Sequence, residues 1–321
     1  MDLRRAEWIN VSDLPPLFRD EILGSAAYVT KRYFRSAKGG QLDPVNVKLP
    51  MPFVVAITGT GQRGIGVSIA LSYAQAGASG ILLSSRSEAS AKSVAEQVKA
   101  INPSCRVEYE ACDVSKEEDV IRLASRCRSS FGRLDVAVFN QCEPLRYEKD
   151  TDGNPISPSG ICDELEEERM KAWATNYHGT YSAIKKFLPL IQQSTNGPQT
   201  MIILSSLAAN YPYSTLGSPS YNMSKLALNR LAEYVDAEFK SDVVCIAVHP
   251  GAIKTNDETV PWDDVLLDDI SLPGGFCVWL TKTKRAWLSG RFLVSGWDVA
   301  ELESQREIIV AEDKFKFRLK I

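Results

Sequence analysis

Six strand-like runs recur through the middle of the chain: Phe53–Thr58, Gly80–Ser85, Arg106–Ala111, Leu134–Asn140, Met201–Ser205 and Val243–Val248. The first three each lead into a helical pattern, with Val94, Val98 and Ile101 on one apolar face and Val120, Leu123 and Cys127 on another. Continuous apolar strands have both faces covered, and amphipathic helices between them are the crossovers a parallel sheet needs. The pattern predicts an α/β fold, a doubly wound parallel sheet in one domain over residues 51–298. Residues 163–193 read as one further long helix, with the acidic run at 163–168 favoured by the dipole at its start.

The ends differ from this core. In residues 1–50, Leu17, Ile22, Ala26 and Val29 recur at helical intervals between Pro15-Pro16 and Gly39-Gly40. A helical arm laid on the main domain is predicted; a solvent-exposed leader is the alternative reading. Residues 299–321 form a charged tail, a short helix and then an extended end, whose purpose the sequence does not state.

Composition narrows the function. Net charge is −3 and charged residues make up 24%, so no basic excess points to nucleic acid. Seven scattered cysteines with no C-x-x-C pair, and two histidines, give no metal-ligand spacing. Free thiols suit a reducing compartment, and neither a leader nor an apolar run of roughly 18 residues stands out. A cytoplasmic protein without a membrane span is expected.

Residues 58–66 read T-G-T-G-Q-R-G-I-G, after an apolar strand and before a helix on which Ile65, Ile69 and Tyr73 share a face. Strand, glycine turn and helix in this order suit a dinucleotide: the turn admits the pyrophosphate and the helix N-terminus offers free N–H groups. At the end of the second strand an acidic residue would accept from the ribose hydroxyls of NAD. Here Ser85 holds that place and Arg86 follows it, while Arg63 projects from the turn. Arginine offers a planar fork of donors to a 2′-phosphate. Singly, each arginine also reads as a solvated surface cation; jointly, with Ser85, they point to NADP(H). The turn holds one residue more than the usual spacing, which charge does not explain.

Residues 221–225 read Y-N-M-S-K, which puts Tyr221 and Lys225 on one helix face, continued by Leu228, Leu231, Val235 and Phe239. A tyrosine with a pKa near 10 is a poor base at neutral pH, and a neighbouring ammonium lowers it. Upstream, Ser205 and Ser206 end a strand, where a hydroxyl can bond a substrate oxygen, and Asn176 lies in the long helix.

Taken in order, these motifs resemble the classical short-chain dehydrogenases/reductases over roughly residues 53–297. The glycine turn looks like that family's cofactor loop, with Gly59, Arg63, Gly64, Ile65 and Gly66 at the cofactor. C-D-V at 112–114 is similar to its adenine element, which implies that Asp113 and Val114 contact adenine. N-Y-H-G at 176–179, S-S at 205–206, Y-N-M-S-K and H-P-G-A-I-K-T at 249–255 follow. The resemblance implies a Rossmann-type fold, a catalytic tetrad of Asn176, Ser206, Tyr221 and Lys225, and contacts from Ile253 and Thr255 at the nicotinamide end. It also implies a ketone or alcohol substrate and a homodimer or homotetramer built through helices 163–193 and 219–239. The two ends of the chain look similar to those of fungal reductases, often of secondary metabolism.

Two departures mark this chain. Where the family has N-N-A-G it reads Phe139-Asn140-Gln141-Cys142: Asn140 is kept beside the cofactor, but Gln141 and Cys142 replace small residues. The Cys142 thiol is read as filling a core gap. The loop from Ser206 to Tyr221 is slightly long and carries Tyr211 and Tyr213, which line a substrate pocket or cover the core. His178 and His249 are read as structural. The expected function is an NADPH-dependent carbonyl reductase; the alternative is an NADP(H)-binding protein with lost or redirected catalysis. Leu145, Tyr211, Tyr213, Trp262, Leu266, Leu267, Phe276 and Trp279 are expected at an apolar substrate pocket.

Overall fold

The computed structural model describes residues 8–143, 147–152, 155–212, 217–240, 242–255, 263 and 266–319. In chain order the strands are β1 (Trp8–Asn10), β2 (Arg32–Phe34), β3 (Val54–Thr58), β4 (Gly80–Ser85), β5 (Arg106–Ala111), β6 (Val136–Phe139), β7 (Tyr147–Lys149), β8 (Pro155–Pro158), β9 (Thr200–Leu204), β10 (Val244–His249) and β11 (Phe292–Val294). The helices are α1 (Ile65–Gln75), α2 (Glu88–Ile101), α3 (Glu117–Phe131), α4 (Glu166–Ala172), α5 (Gly179–Gln193), α6 (Pro219–Phe239), α7 (Ser271–Thr281), α8 (Val299–Ser304) and α9 (Arg306–Ala311).

Seven strands form one parallel sheet in the order β11-β10-β9-β6-β3-β4-β5. β3, β4, β6, β9 and β10 are buried along their whole length, as an all-apolar strand between two helical layers must be. α1 packs on α2 and α7; α3 packs on α5, and α6 lies against β9 and β10. The order turns outward in both directions from β3 and β6, which opens a crevice at their carboxyl ends, the usual ligand position of such sheets. This is the doubly wound Rossmann-type arrangement expected from the alternating pattern, in a single domain.

Local chemistry sets the helix ends. Ser87 caps α2 by accepting from Ser90 N at 3.3 Å, Gly132 closes α3 at φ 66°, and Pro219 starts α6. The long helix read over 163–193 begins at Glu166 and is interrupted by a π segment, Trp173–His178, between α4 and α5. Asn176 lies inside that wider turn.

The N-terminal arm differs in kind from the expected helix. It is a π turn, Leu17–Leu23, and a 3-10 turn, Gly24–Tyr28, closed by the antiparallel pair β1–β2. Pro15 and Pro16 restrict the start and Gly24, at φ 52°, breaks the middle, so no regular helix propagates. It is no exposed leader: Phe18, Leu23, Ala27 and Tyr33 are buried in the common core. Trp297 Nε1 donates to Ala26 O at 2.8 Å, and Arg32 pairs with Asp298 at the head of α8. β11 had no reading from sequence, because three residues carry too little period. Among the described residues, no helix is long and apolar enough to cross a membrane.

Candidate active site

The glycine turn leaves β3 and enters α1, whose N-cap Gly64 offers no side chain. The first N–H groups of α1 therefore face the crevice without a side-chain cap, the usual setting for an anion. Gly61, at φ 54°, supplies a left-handed step between Gly59 and Gly64, so the turn closes despite its extra residue. Thr60 ties the turn to β4, its N and Oγ1 donating to Ser84 O at 2.9 and 3.1 Å. A Cβ on Gly66 would stand 2.7 Å from Asn140 Nδ2 and 2.8 Å from Gly59 O, so only glycine fits there. Asn140 Nδ2 donates to Gly59 O at 2.7 Å and locks the turn to the end of β6.

One cleft of about 570 Å³ gathers most of the residues singled out from sequence. Gly59, Arg63, Gly64, Ile65 and Gly66 line it from the glycine turn, and Ser85, Arg86, Asp113 and Val114 line it from the ends of β4 and β5. Asn140, Ser206, Tyr221, Ile253 and Thr255 line the rest. That volume is within the range of small-molecule and cofactor sites. Arg86 is exposed, with Nη1 3.9 Å from Glu143 Oε2, a surface pair that an incoming anion can displace. Glycines in close contact, open helix N–H groups and guanidiniums together fit a dinucleotide phosphate chain.

Asn176 and Lys225 sit behind the wall, 0% and 2% exposed. Asn176 Oδ1 accepts from Glu143 N at 2.8 Å and its Nδ2 donates to Ser224 Oγ at 3.0 Å. It therefore joins the segment following β6 to the helix that carries Tyr221. Lys225 Nζ donates to Leu204 O at 2.9 Å and lies 5.6 Å from the centre of the Tyr221 ring. Burial pushes the Tyr221 phenol well above its ordinary value; the Cys142 thiol adds to the rise and a hydrogen bond with Ser206 opposes it. The sequence alone points the other way, to an acidified phenol. It registers the ammonium four residues on, but neither the desolvation nor the carbonyl that engages that ammonium.

The N-N-A-G departure is absorbed differently at its two positions. Gln141 is buried: Thr58 Oγ1 donates to its Oε1, and its Nε2 donates to Thr180 Oγ1 at 2.6 Å. Cys142, expected to fill a core gap, is an exposed free thiol on the cleft beside Tyr221, because Gln141 takes the interior position. His249, which also lines the cleft, accepts from Leu207 N at 3.3 Å through Nδ1, and burial pushes it down to about 3, so it stays neutral.

The expected substrate pocket is only partly present. Leu266 lines the cleft, joined by Tyr147, Thr175 and Leu207, which the sequence reading missed. Phe276 and Trp279 do not: they are buried in α7, which faces α1, and the periodicity of a short helix does not reveal which layer it joins. Tyr211 covers the arm, its hydroxyl 2.9 Å from where a Cβ on Gly24 would be. Leu145, Tyr213 and Trp262 lie outside the described residues.

A glycine turn at the crevice of a doubly wound parallel sheet defines a dinucleotide-fold protein. Residues 53–263 match the short chain dehydrogenase family. The chain belongs to that family of oxidoreductases, whose cofactors are nicotinamide dinucleotides. It is similar to the short chain dehydrogenase pgmD of Aspergillus terreus, 32% identical over 294 residues that cover 87% of this chain and 90% of that protein. It is likewise similar to the short chain dehydrogenase mpl6 of Monascus purpureus, 33% identical over 272 residues, 83% and 88% of the two chains. Among solved structures it shares its fold with a short-chain dehydrogenase/reductase from Serratia marcescens, at TM-score 0.64 and 21% identity over 75% of this chain and 95% of that one. A 3-oxoacyl-(acyl-carrier protein) reductase from Brucella melitensis has the same fold, at TM-score 0.65 and 21% identity over 80% and 94%.

Proposed function

We propose that this protein is an NADPH-dependent reductase of a carbonyl group on a fairly large apolar small molecule, in fungal-type secondary metabolism. The observation that carries the reading is one cleft lined by Arg63, Ser85 and Arg86 as well as by Ser206 and Tyr221. No carboxylate side chain replaces Ser85 where a ribose-binding acid would stand, and two guanidiniums suit a 2′-phosphate.

The bound dinucleotide supplies the hydride. The chain does the rest. Ser206 Oγ and Tyr221 Oη hydrogen-bond the carbonyl oxygen, and Tyr221 gives its proton to that oxygen as negative charge develops there. The phenol is protonated and so available to donate; burial makes it the weaker acid, and the hydrogen bond with Ser206 works against that cost. Lys225 steadies the phenolate left behind and passes on a proton through a water held near Asn176. Asn140, Asp113, Val114, Ile253 and Thr255 line the cleft where the dinucleotide would lie. Leu207 and Leu266 add apolar surface to the same cleft.

Tyr181, Met223, Leu226 and Tyr234 are exposed on α5 and α6 and support pairing of copies through those helices. We place the protein in the cytoplasm. The test of the reading is cofactor oxidation against a panel of ketones, with NADPH and NADH in parallel. Faster oxidation of NADPH by an apolar ketone is expected; preference for NADH, or for small charged oxo acids, overturns it.

A further inference from the structure

The segment Pro250–Thr255 forms one wall of the cleft and belongs to no strand or helix. Its main chain is held from behind by one buried carboxylate. Asp268 Oδ2 accepts from Ala252 N at 2.7 Å, while Asp268 N donates to Ala252 O at 3.0 Å. The same Oδ2 accepts from Tyr33 Oη at 2.9 Å, and Arg35 Nε stands 3.8 Å from Oδ1. Arg35 also donates to Leu267 O through Nη2, and its own carbonyl accepts from Asp269 N at 2.7 Å.

Tyr33 and Arg35 belong to the N-terminal arm, 235 and 233 residues before Asp268 and outside the 53–263 family match. The Asp268 side chain is buried, and burial pushes its carboxyl up to about 7 against the hydrogen bonds from Ala252 and Tyr33 and the charge of Arg35. A carboxylate in that position is tolerated only with its donors in place. Tyr33 is itself fixed, 1% exposed and edge-on to Phe18 at 5.7 Å between ring centres. Three segments distant in sequence thus meet at one carboxylate, directly behind the main chain that precedes Ile253.

We propose that Asp268 is a positioning residue that holds Gly251–Thr255 in the shape that receives the nicotinamide end of the cofactor, and that the arm completes this support through Tyr33 and Arg35. The arm is then part of the cofactor site rather than a cover for the core. This rests on the NADP(H) reading above.

Two measurements test it on the full chain. In ligand-free protein, hydrogen exchange of the peptide covering Gly251–Thr255 is followed for wild type, Tyr33→Phe and Leu23→Ala. Leu23→Ala loosens the arm's packing without touching Asp268. Exchange is expected to rise in Tyr33→Phe and to stay at the wild-type level in Leu23→Ala. The NADPH dissociation constant, by titration, is expected to rise about tenfold in Tyr33→Phe, the order expected for one bond to a buried charged group. It should stay within about twofold of wild type in Leu23→Ala, even where that variant melts lower. Asp268→Asn, which keeps an oxygen acceptor for Ala252 N, should bind more tightly than Asp268→Ala. Equal shifts in Tyr33→Phe and Leu23→Ala, or unchanged exchange and binding in Tyr33→Phe beside normal wild-type binding, overturn the positioning role alone. A wild type that binds neither NADPH nor NADH overturns the functional reading and this role with it.

Discussion

The two walls of the cleft are built by different means. The wall at the glycine turn comes from neighbours in sequence: β3, the turn, α1 and β4 follow one another, and Thr60 and Asn140 tie them by bonds of 2.7 to 3.1 Å. The opposite wall, Pro250–Thr255, has no regular structure and takes its shape from Asp268, Tyr33 and Arg35. The first is fixed by main-chain geometry and fails by collision. The second is fixed by a buried carboxyl group and its donors, and fails by loss of a partner.

The contrast gives a graded set of expectations. Gly66→Ala places a Cβ 2.7 Å from Asn140 Nδ2 and 2.8 Å from Gly59 O, where the turn has no room. NADPH binding should weaken by at least about 100-fold by titration, with about 1–3 kcal/mol lost from unfolding stability in urea. Near-normal binding would mean the first wall is as adaptable as the second.

Arg86→Asp removes the fork for a 2′-phosphate and sets a repelling carboxylate next to Ser85, which holds the place of a ribose-binding acid. The ratio of kcat/KM for NADPH over NADH should fall by about 10–100-fold. An unchanged ratio would assign cofactor choice to Arg63 alone.

The second wall carries a pH signature. Asp268 sits near pKa 7 in the folded chain and near 3.9 when unfolded, so between those values the folded state binds the extra proton. Its contribution to stability is fully present below about pH 4 and is lost as pH rises through 7. The groups facing it are Tyr33 and Arg35 from the arm and the amide of Ala252. Unfolding stability of Asp268→Asn minus that of wild type should rise from pH 4 to 7 and level off above it. A flat difference would show that the carboxyl is not raised. The smallest effect is expected at the thiol: Cys142 helps to raise the Tyr221 phenol, so Cys142→Ala should move the alkaline limb of the reduction rate down by a fraction of a pH unit.

The same division explains what could be read from the sequence. β4 and β5 have the bounds expected, Gly80–Ser85 and Arg106–Ala111: β4 is an apolar run between a glycine and the Ser87 cap, and β5 alternates Val107, Tyr109 and Ala111 with charged residues, both local signals. The glycine turn was legible for the same reason, since its motif is nine consecutive residues. The π segment around Asn176 left no trace in composition, and the arm's helical spacing produced short turns and a ribbon once Pro15, Pro16 and Gly24 were in place. The loss of Phe276 and Trp279 to the core, and the meeting of Tyr33 with Asp268, depend on which layer α7 joins and where the arm returns. Neither is a property of any short stretch of chain.

The proposed reduction rests on one hydroxyl. NADPH binding and single-turnover oxidation of NADPH by an accepted ketone should be measured on the same samples of wild type and Tyr221→Phe. Unaltered binding with oxidation slowed by about 10²–10⁴-fold is the predicted result. Oxidation at the wild-type rate without that hydroxyl would contradict it.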